Sequence, residues 1–157
     1  MTRTSARQLA VQLSFAERAG SDLAPEDFFD EEYFASLPSE EPLFQELPDE
    51  KQRAYICSIV NGVREHTGEL DEIIARYSRG WKISRISRTA LAVLRCSLYE
   101  LCYMPEVPTA AAINEAVELS KGYDEPETVS FINGILGSFV RARDAETGSA
   151  PSDGGEA

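Results

Sequence analysis

The sequence predicts an all-α protein, a compact bundle of about seven helices. Three observations carry this expectation. Apolar residues recur at i, i+3, i+4 and i+7 through most of the chain, the spacing of one helix face. Glycines, prolines and small polar residues punctuate the ends of those periodic stretches. No segment shows the strict alternation of a half-buried strand.

Taken in order, residues 3–19 form the first predicted helix, with Ala6, Leu9, Ala10, Leu13 and Ala16 on one face and Gly20 as a left-handed stop. Arg7, Val11, Ser14 and Arg18 share another face, so the helix is expected to present charge away from its packing stripe. Residues 21–48 contain Pro25, Pro38, Pro42 and Pro48 among five aromatics, which suits a short helix near 25–36 inside an acidic connection. From Asp49, Ile56, Ile59, Val60, Val63, Leu70, Ile73, Ile74 and Tyr77 keep helical register, with a bend expected near Gly68. A turn is expected near Trp81–Ser84, followed by a helix over 85–103 that stops before Pro105. Thr109 is placed as the N-cap of a helix ending at Lys121-Gly122, and Pro126 suits the first turn of the last one. The tail, 144–157, has no large apolar side chain and is expected to be disordered, leaving 1–143 as the single domain.

At 157 residues the chain is long enough for a core without staples. Cys57, Cys96 and Cys102 cannot all pair within one chain, and each falls in an apolar helical stretch, where a thiol acts as a small buried hydrophobe. With one histidine, His66, and no ligand spacing, neither a metal nor another cofactor is expected. No apolar run approaches a membrane span and the N-terminus lacks a signal-type apolar block, which predicts a cytoplasmic protein.

The net charge of −12 argues at first against a nucleic-acid partner, but it is unevenly placed. Residues 21–50 hold eleven acids and no base, and the tail holds four more. The remaining body then carries 12 acids against all 15 bases, a net +3. Within it, Arg76, Arg79, Lys82, Arg85 and Arg88 recur every third residue, and no acid lies between 73 and 99. Such a group is either a phosphate-contacting patch or a solvated face whose stems cover apolar surface.

Three runs in the second half add polar residues that packing alone does not demand: Leu94-Arg95-Cys96-Ser97-Leu98-Tyr99-Glu100-Leu101, Ala112-Ile113-Asn114-Glu115-Ala116-Val117-Glu118-Leu119-Ser120-Lys121, and Phe131-Ile132-Asn133-Gly134-Ile135-Leu136. In this order and spacing they resemble the transcription antitermination factor NusB family, over roughly 3–20 and 51–143. The resemblance implies two packed helical groups, and a surface that binds single-stranded RNA of the boxA type. By that likeness Arg3 and Arg7 contact RNA from the N-terminal helix, and Phe131 stacks on a base, with Asn133, Lys121 and Thr128 around it. Arg79, Lys82, Arg85 and Arg88 are candidate phosphate contacts. The family also binds the ribosomal protein NusE. The matching positions here are Phe15, Arg18 and Ala90, where Phe15 and Ala90 lack the hydroxyl and carboxylate that often stand there. Arg95, Glu100, Asn114 and Glu115 read as structural, with Arg95 paired to Glu115 or Glu118 and Asn114 bonding between helices.

Catalysis has little support, because no serine–histidine–acid set, phosphate loop or carboxylate pair stands out. The resemblance implies an adaptor that binds boxA-type leader RNA with NusE and links it, indirectly, to the elongating RNA polymerase in ribosomal RNA operons. The alternatives are a protein-only interaction module working through the acidic 21–50 segment, or an RNA-binding domain related to those of RNA cytosine methyltransferases.

Overall fold

A computed structural model describes residues 1–18, 26, 47–80 and 82–147. Among them are five α-helices, a single 3-10 turn and no strand. The helices are α1 (Arg3–Arg18), α2 (Glu50–Tyr77), α3 (Arg88–Tyr103), α4 (Thr109–Ser120) and α5 (Pro126–Thr147), with the 3-10 turn over Ile83–Arg85. Gly20, Trp81, the expected helix near 25–36 apart from Glu26, and most of the acidic connection lie outside the described residues. Residues 144–147 of the expected tail continue α5 instead of starting a disordered end.

Local chemistry explains the helix starts. At α1, the Thr2 hydroxyl accepts the Ser5 backbone N–H at 3.0 Å. At α2, Asp49 and Gln52 form a reciprocal capping box: Gln52 N–H donates to Asp49 Oδ1 at 2.8 Å, and Asp49 N–H donates to Gln52 Oε1 at 2.9 Å. Ser87 caps α3 by accepting the Ala90 N–H at 3.1 Å, so that helix begins at Arg88 and not at Arg85. Pro126 opens α5, where its missing N–H is no loss. Thr109 is not the cap of α4: Pro108 holds that position, and the Thr109 hydroxyl accepts from Arg143 at 3.3 Å. The α2 bend falls at His66 (φ −115°, ψ 19°), two residues before the expected Gly68.

The chain divides into two compact units, Met1–Glu65 and His66–Ala157. In the first, Ala6, Leu9, Ala10, Val11, Ile56, Ile59 and Val60 are buried. In the second, α3 is buried almost all round, from Ala90 to Leu98, and α3, α4 and α5 pack against one another. The buried face of α4 is a stripe of small residues, Ala112, Ala116 and Ser120, which lets its neighbours approach closely. Ile132, Ile135 and Leu136 of α5 are essentially inaccessible. Truncating any of them to Ala costs about 2–5 kcal/mol.

Polar groups brace this second unit. Arg95, 3% exposed, forms a two-pronged pair with Asp71: Nε to Oδ1 at 2.7 Å and a terminal nitrogen to Oδ2 at 2.8 Å. Asp71 comes from α2, so the pairing expected with Glu115 or Glu118 is corrected; Glu118 pairs with Lys121. Seven residues after Leu136, the last buried residue of α5, Arg143 donates to the Leu101 carbonyl at 2.9 Å and to Thr109, clasping the end of α3 and the start of α4. Ser87 and Thr89 both donate to Asp124, at 2.9 and 3.1 Å, tying the start of α3 to the α4–α5 turn. Glu100 is 2% exposed within α3. Asn114, expected to bond between helices, is instead exposed, with no hydrogen bond to another described side chain.

None of the three thiols is in a disulfide, and only Cys96 is buried; Cys57 and Cys102 are half-buried. Burial, with the Glu26 carboxylate nearby, pushes the Cys57 thiol up to about 11. Among the described residues no cluster of side chains is arranged to hold a metal, and no helix is long and apolar enough to cross a membrane.

Candidate nucleic-acid interface

In the second unit the end of α2 and one face of α5 enclose an open groove of about 340 Å³. Its walls are Tyr77, Ser78 and Arg79 on one side, and Phe131, Gly134, Ile135, Ser138 and Arg141 on the other. The α5 residues recur at three- and four-residue spacing, so a single helix face supplies them all. Phe131 is neither fully buried nor fully exposed, which leaves part of its ring on the groove. Gly134, one turn further on, adds no side chain, and open space stands where its Cβ would be.

The charges on this groove are cationic. Arg79 and Arg141 are exposed, and among the described residues no acid lines it. Arg79 is held there by an unusual backbone: its φ is +49°, and Gly80 follows at +94°. Two successive left-handed residues turn the chain sharply after α2, and only Gly adopts that region without strain. The Arg141 guanidinium lies 3.3 Å from the Ser138 hydroxyl and lines the same wall. An aromatic ring beside two guanidinium groups suits an unstacked base with its phosphate.

Beyond the groove the basic series continues around the α2–α3 junction. Lys82, Arg85 and Arg88 are exposed on and beside the 3-10 turn, as is Arg76 in the last turn of α2. All five bases are exposed near the α2–α3 junction, and of the series only Arg79 lines the groove.

The chain matches the NusB family over residues 4–141. It belongs to that family. Among named relatives, the transcription antitermination protein NusB of Acetivibrio thermocellus is 48% identical over 95 residues, covering 60% of this chain and 66% of that protein. That of Carboxydothermus hydrogenoformans is 41% identical over 137 residues, covering 87% and 91%. A solved structure of T. maritima NusB superposes with a TM-score of 0.69 at 27% identity, covering 90% of this chain and 92% of that one. Both of these relatives are named transcription antitermination proteins.

The NusB-type positions named from the sequence separate on the structure. Thr128 lies one turn before Phe131 on the same side of α5 and is part-exposed. Asn133 is exposed, but two residues along a helix is a rotation of about 200°, so it points away from the Phe131 face. Lys121 sits at the end of α4 with its ammonium 2.7 Å from Glu118. In the first unit, Arg3 is exposed while Arg7 is 5% exposed, and both guanidinium groups lie over the Tyr55 ring, at 4.4 and 5.7 Å. The face expected to present charge is therefore largely covered: Val11 and Ser14 are each 4% exposed. Of the protein-partner positions, Phe15 is part-exposed and the Arg18 side chain lies outside what is described. Ala90 is fully buried in the first turn of α3, so it is corrected from a partner contact to a packing residue.

Sequence reasoning missed Tyr77, Ser138 and Arg141. Tyr77 was read as the last member of an apolar stripe. The signal for Arg141 was present: 131, 134, 138 and 141 follow one face of a helix.

Proposed function

We propose that this chain is a transcription antitermination factor that binds single-stranded leader RNA of the boxA type through the α2–α5 groove. The observation that carries the reading is that Phe131 lines the same groove as Arg79 and Arg141, with no acid among the described lining residues. A splayed base stacks on Phe131 while the two guanidinium groups take the neighbouring phosphates. Arg85, Arg88 and Lys82 extend attraction along the backbone without reading sequence. Thr128 flanks the stacked base, and Lys121 and Asn133 lie at the margin. In the first unit Arg3, the exposed one of the two arginines on the Tyr55 ring, supplies a further phosphate contact; Arg7, being buried, supports the helix that carries it.

The mechanism is assembly and not catalysis. RNA and a NusE-type ribosomal protein bind together, each raising the other's affinity, and the complex keeps the RNA tethered to elongating polymerase during ribosomal RNA transcription. Phe15 contributes apolar area to the protein partner. Such a role places the chain in the cytoplasm.

Fluorescence anisotropy with a labelled boxA-type oligoribonucleotide, with and without NusE, tests this. Phe131→Ala is expected to weaken binding by about 1–3 kcal/mol, the value of one stacked base. If the wild-type chain shows no RNA affinity at low salt even with NusE present, the reading fails. Binding to NusE alone, lost with the acidic 21–50 segment, would favour a protein-only module.

A further inference from the structure

The aromatic ring of Tyr55 holds both N-terminal arginines, and the two are held differently. Tyr55 is 7% exposed, in the second turn of α2, so its ring is fixed by the surrounding core. Arg7, 5% exposed, lies over it at 5.7 Å and is itself enclosed. The Arg3 guanidinium lies closer, at 4.4 Å, yet Arg3 is exposed. A guanidinium held near a ring at that distance is attracted by the quadrupole of the π-system while its N–H edge stays available to an anion. The start of the chain is anchored on the same helix: Gln52, three residues before Tyr55, donates to the Met1 carbonyl. A long side chain near a chain terminus ordinarily loses much rotamer freedom when it grips a phosphate. Here much of that freedom is already lost in the free protein.

We infer that Tyr55 is a positioning residue for RNA: it preorganises Arg3 so that its guanidinium meets a backbone phosphate at little further entropic loss. The inference rests on the proposed RNA-binding function. Tyr55 touches no RNA in this scheme and acts through Arg3.

A double-mutant cycle with the boxA-type oligoribonucleotide tests it, using Arg3→Ala, Tyr55→Leu, their combination and Tyr55→Phe, each first checked for a wild-type thermal transition and circular dichroism. Tyr55→Leu is expected to weaken binding about two- to fivefold, the equivalent of an exposed cation–π contact. Tyr55→Phe keeps the ring and should bind as wild type. In the Tyr55→Leu background, Arg3→Ala should weaken binding clearly less than it does in the wild type. Fully additive losses, or unchanged affinity in Tyr55→Leu, overturn the inference. A readout without RNA separates it from the functional reading: the Arg3 Nε–H resonance should carry a ring-current shift in wild type and Tyr55→Phe that disappears in Tyr55→Leu. Wild-type protein that shows this shift but binds no RNA overturns both the functional reading and the inference, whereas RNA binding with an additive cycle overturns the inference alone.

Discussion

Replacing Asp71 by Asn is expected to destabilise the protein by about 3 kcal/mol, and the size follows from the geometry around Arg95. The Arg95 side chain is 3% exposed and meets both carboxylate oxygens, at 2.7 and 2.8 Å, while Asp71 is 26% exposed. Removing one partner of a buried pair leaves an uncompensated charge, at a cost of about 3–5 kcal/mol. Water reaching the exposed quarter of Asp71 relieves part of this, which sets the expectation at the lower end. An amide also keeps one acceptor but turns a donor toward the guanidinium, so the second bond becomes a repulsion. Against a typical total stability of about 5–15 kcal/mol, a loss of that size is easily read. Urea denaturation followed by circular dichroism measures it, with the slope against urea unchanged if only stability moves. The control is Arg95→Met with Asp71→Leu, which removes both charges and is expected to come within about 1 kcal/mol of wild type. An Asp71→Asn loss under about 0.5 kcal/mol, or a double variant as unstable as the single one, would refute the assignment of Arg95 to a buried pair whose charges depend on each other.

Arg79→Gly should raise stability by about 0.5–1 kcal/mol, because it relieves a left-handed residue, while lowering the log–log salt slope of RNA binding by about 0.7; melting and salt titration must move in these opposite senses. Gly134→Ala should likewise favour the helix by about 0.5–1 kcal/mol while weakening RNA binding by narrowing the groove, and tighter binding would contradict the groove as the site. The Tyr103 hydroxyl donates to Glu69 at 2.5 Å, and that bond, with the carboxylate's charge, pushes its pKa up to about 12. A raised pKa means the folded state holds the proton more tightly. The contribution is therefore whole below the ordinary value near pH 10 and lost as pH climbs through about 12. Ultraviolet titration of wild type against Tyr103→Phe should show the missing step near pH 12, and a step near pH 10 would count against the Glu69 bond.

Local patterns in the sequence carried the helices well. Asp49 and Gln52, Pro126 and the apolar stripe of α5 act within a few residues, so their effects are visible in one short window. The partner of Arg95 was not legible. Asp71 lies 24 residues away on another helix, and nothing in spacing distinguishes it from Glu115 or Glu118 on the neighbouring run. The burial of Arg7 was hidden for a related reason: a charged stripe reads as solvent-facing until a buried ring from another helix meets it. Phe131 lines the groove, and its place in the sequence, off the Val129, Ile132, Leu136 stripe, is compatible with a position outside the α5 core. The place of Tyr77 on the groove was not legible, because an aromatic at the end of a stripe looks the same whether it closes a core or opens onto a groove. Ala90 could not be assigned from an aligned position alone, since the same place on a helix is surface or interior according to what packs over it.

The Arg143 clasp sets a practical lower limit on the length of the chain. The match to the family ends at residue 141, whereas the guanidinium that joins the Leu101 carbonyl to Thr109 lies two residues beyond it. A fragment trimmed to the family boundary would keep every groove residue yet release the ends of two helices. Weak RNA binding by such a fragment would then report a loosened clasp outside the groove lining and not a defective lining residue, and any comparison of affinities should begin with chains that extend at least through Thr147.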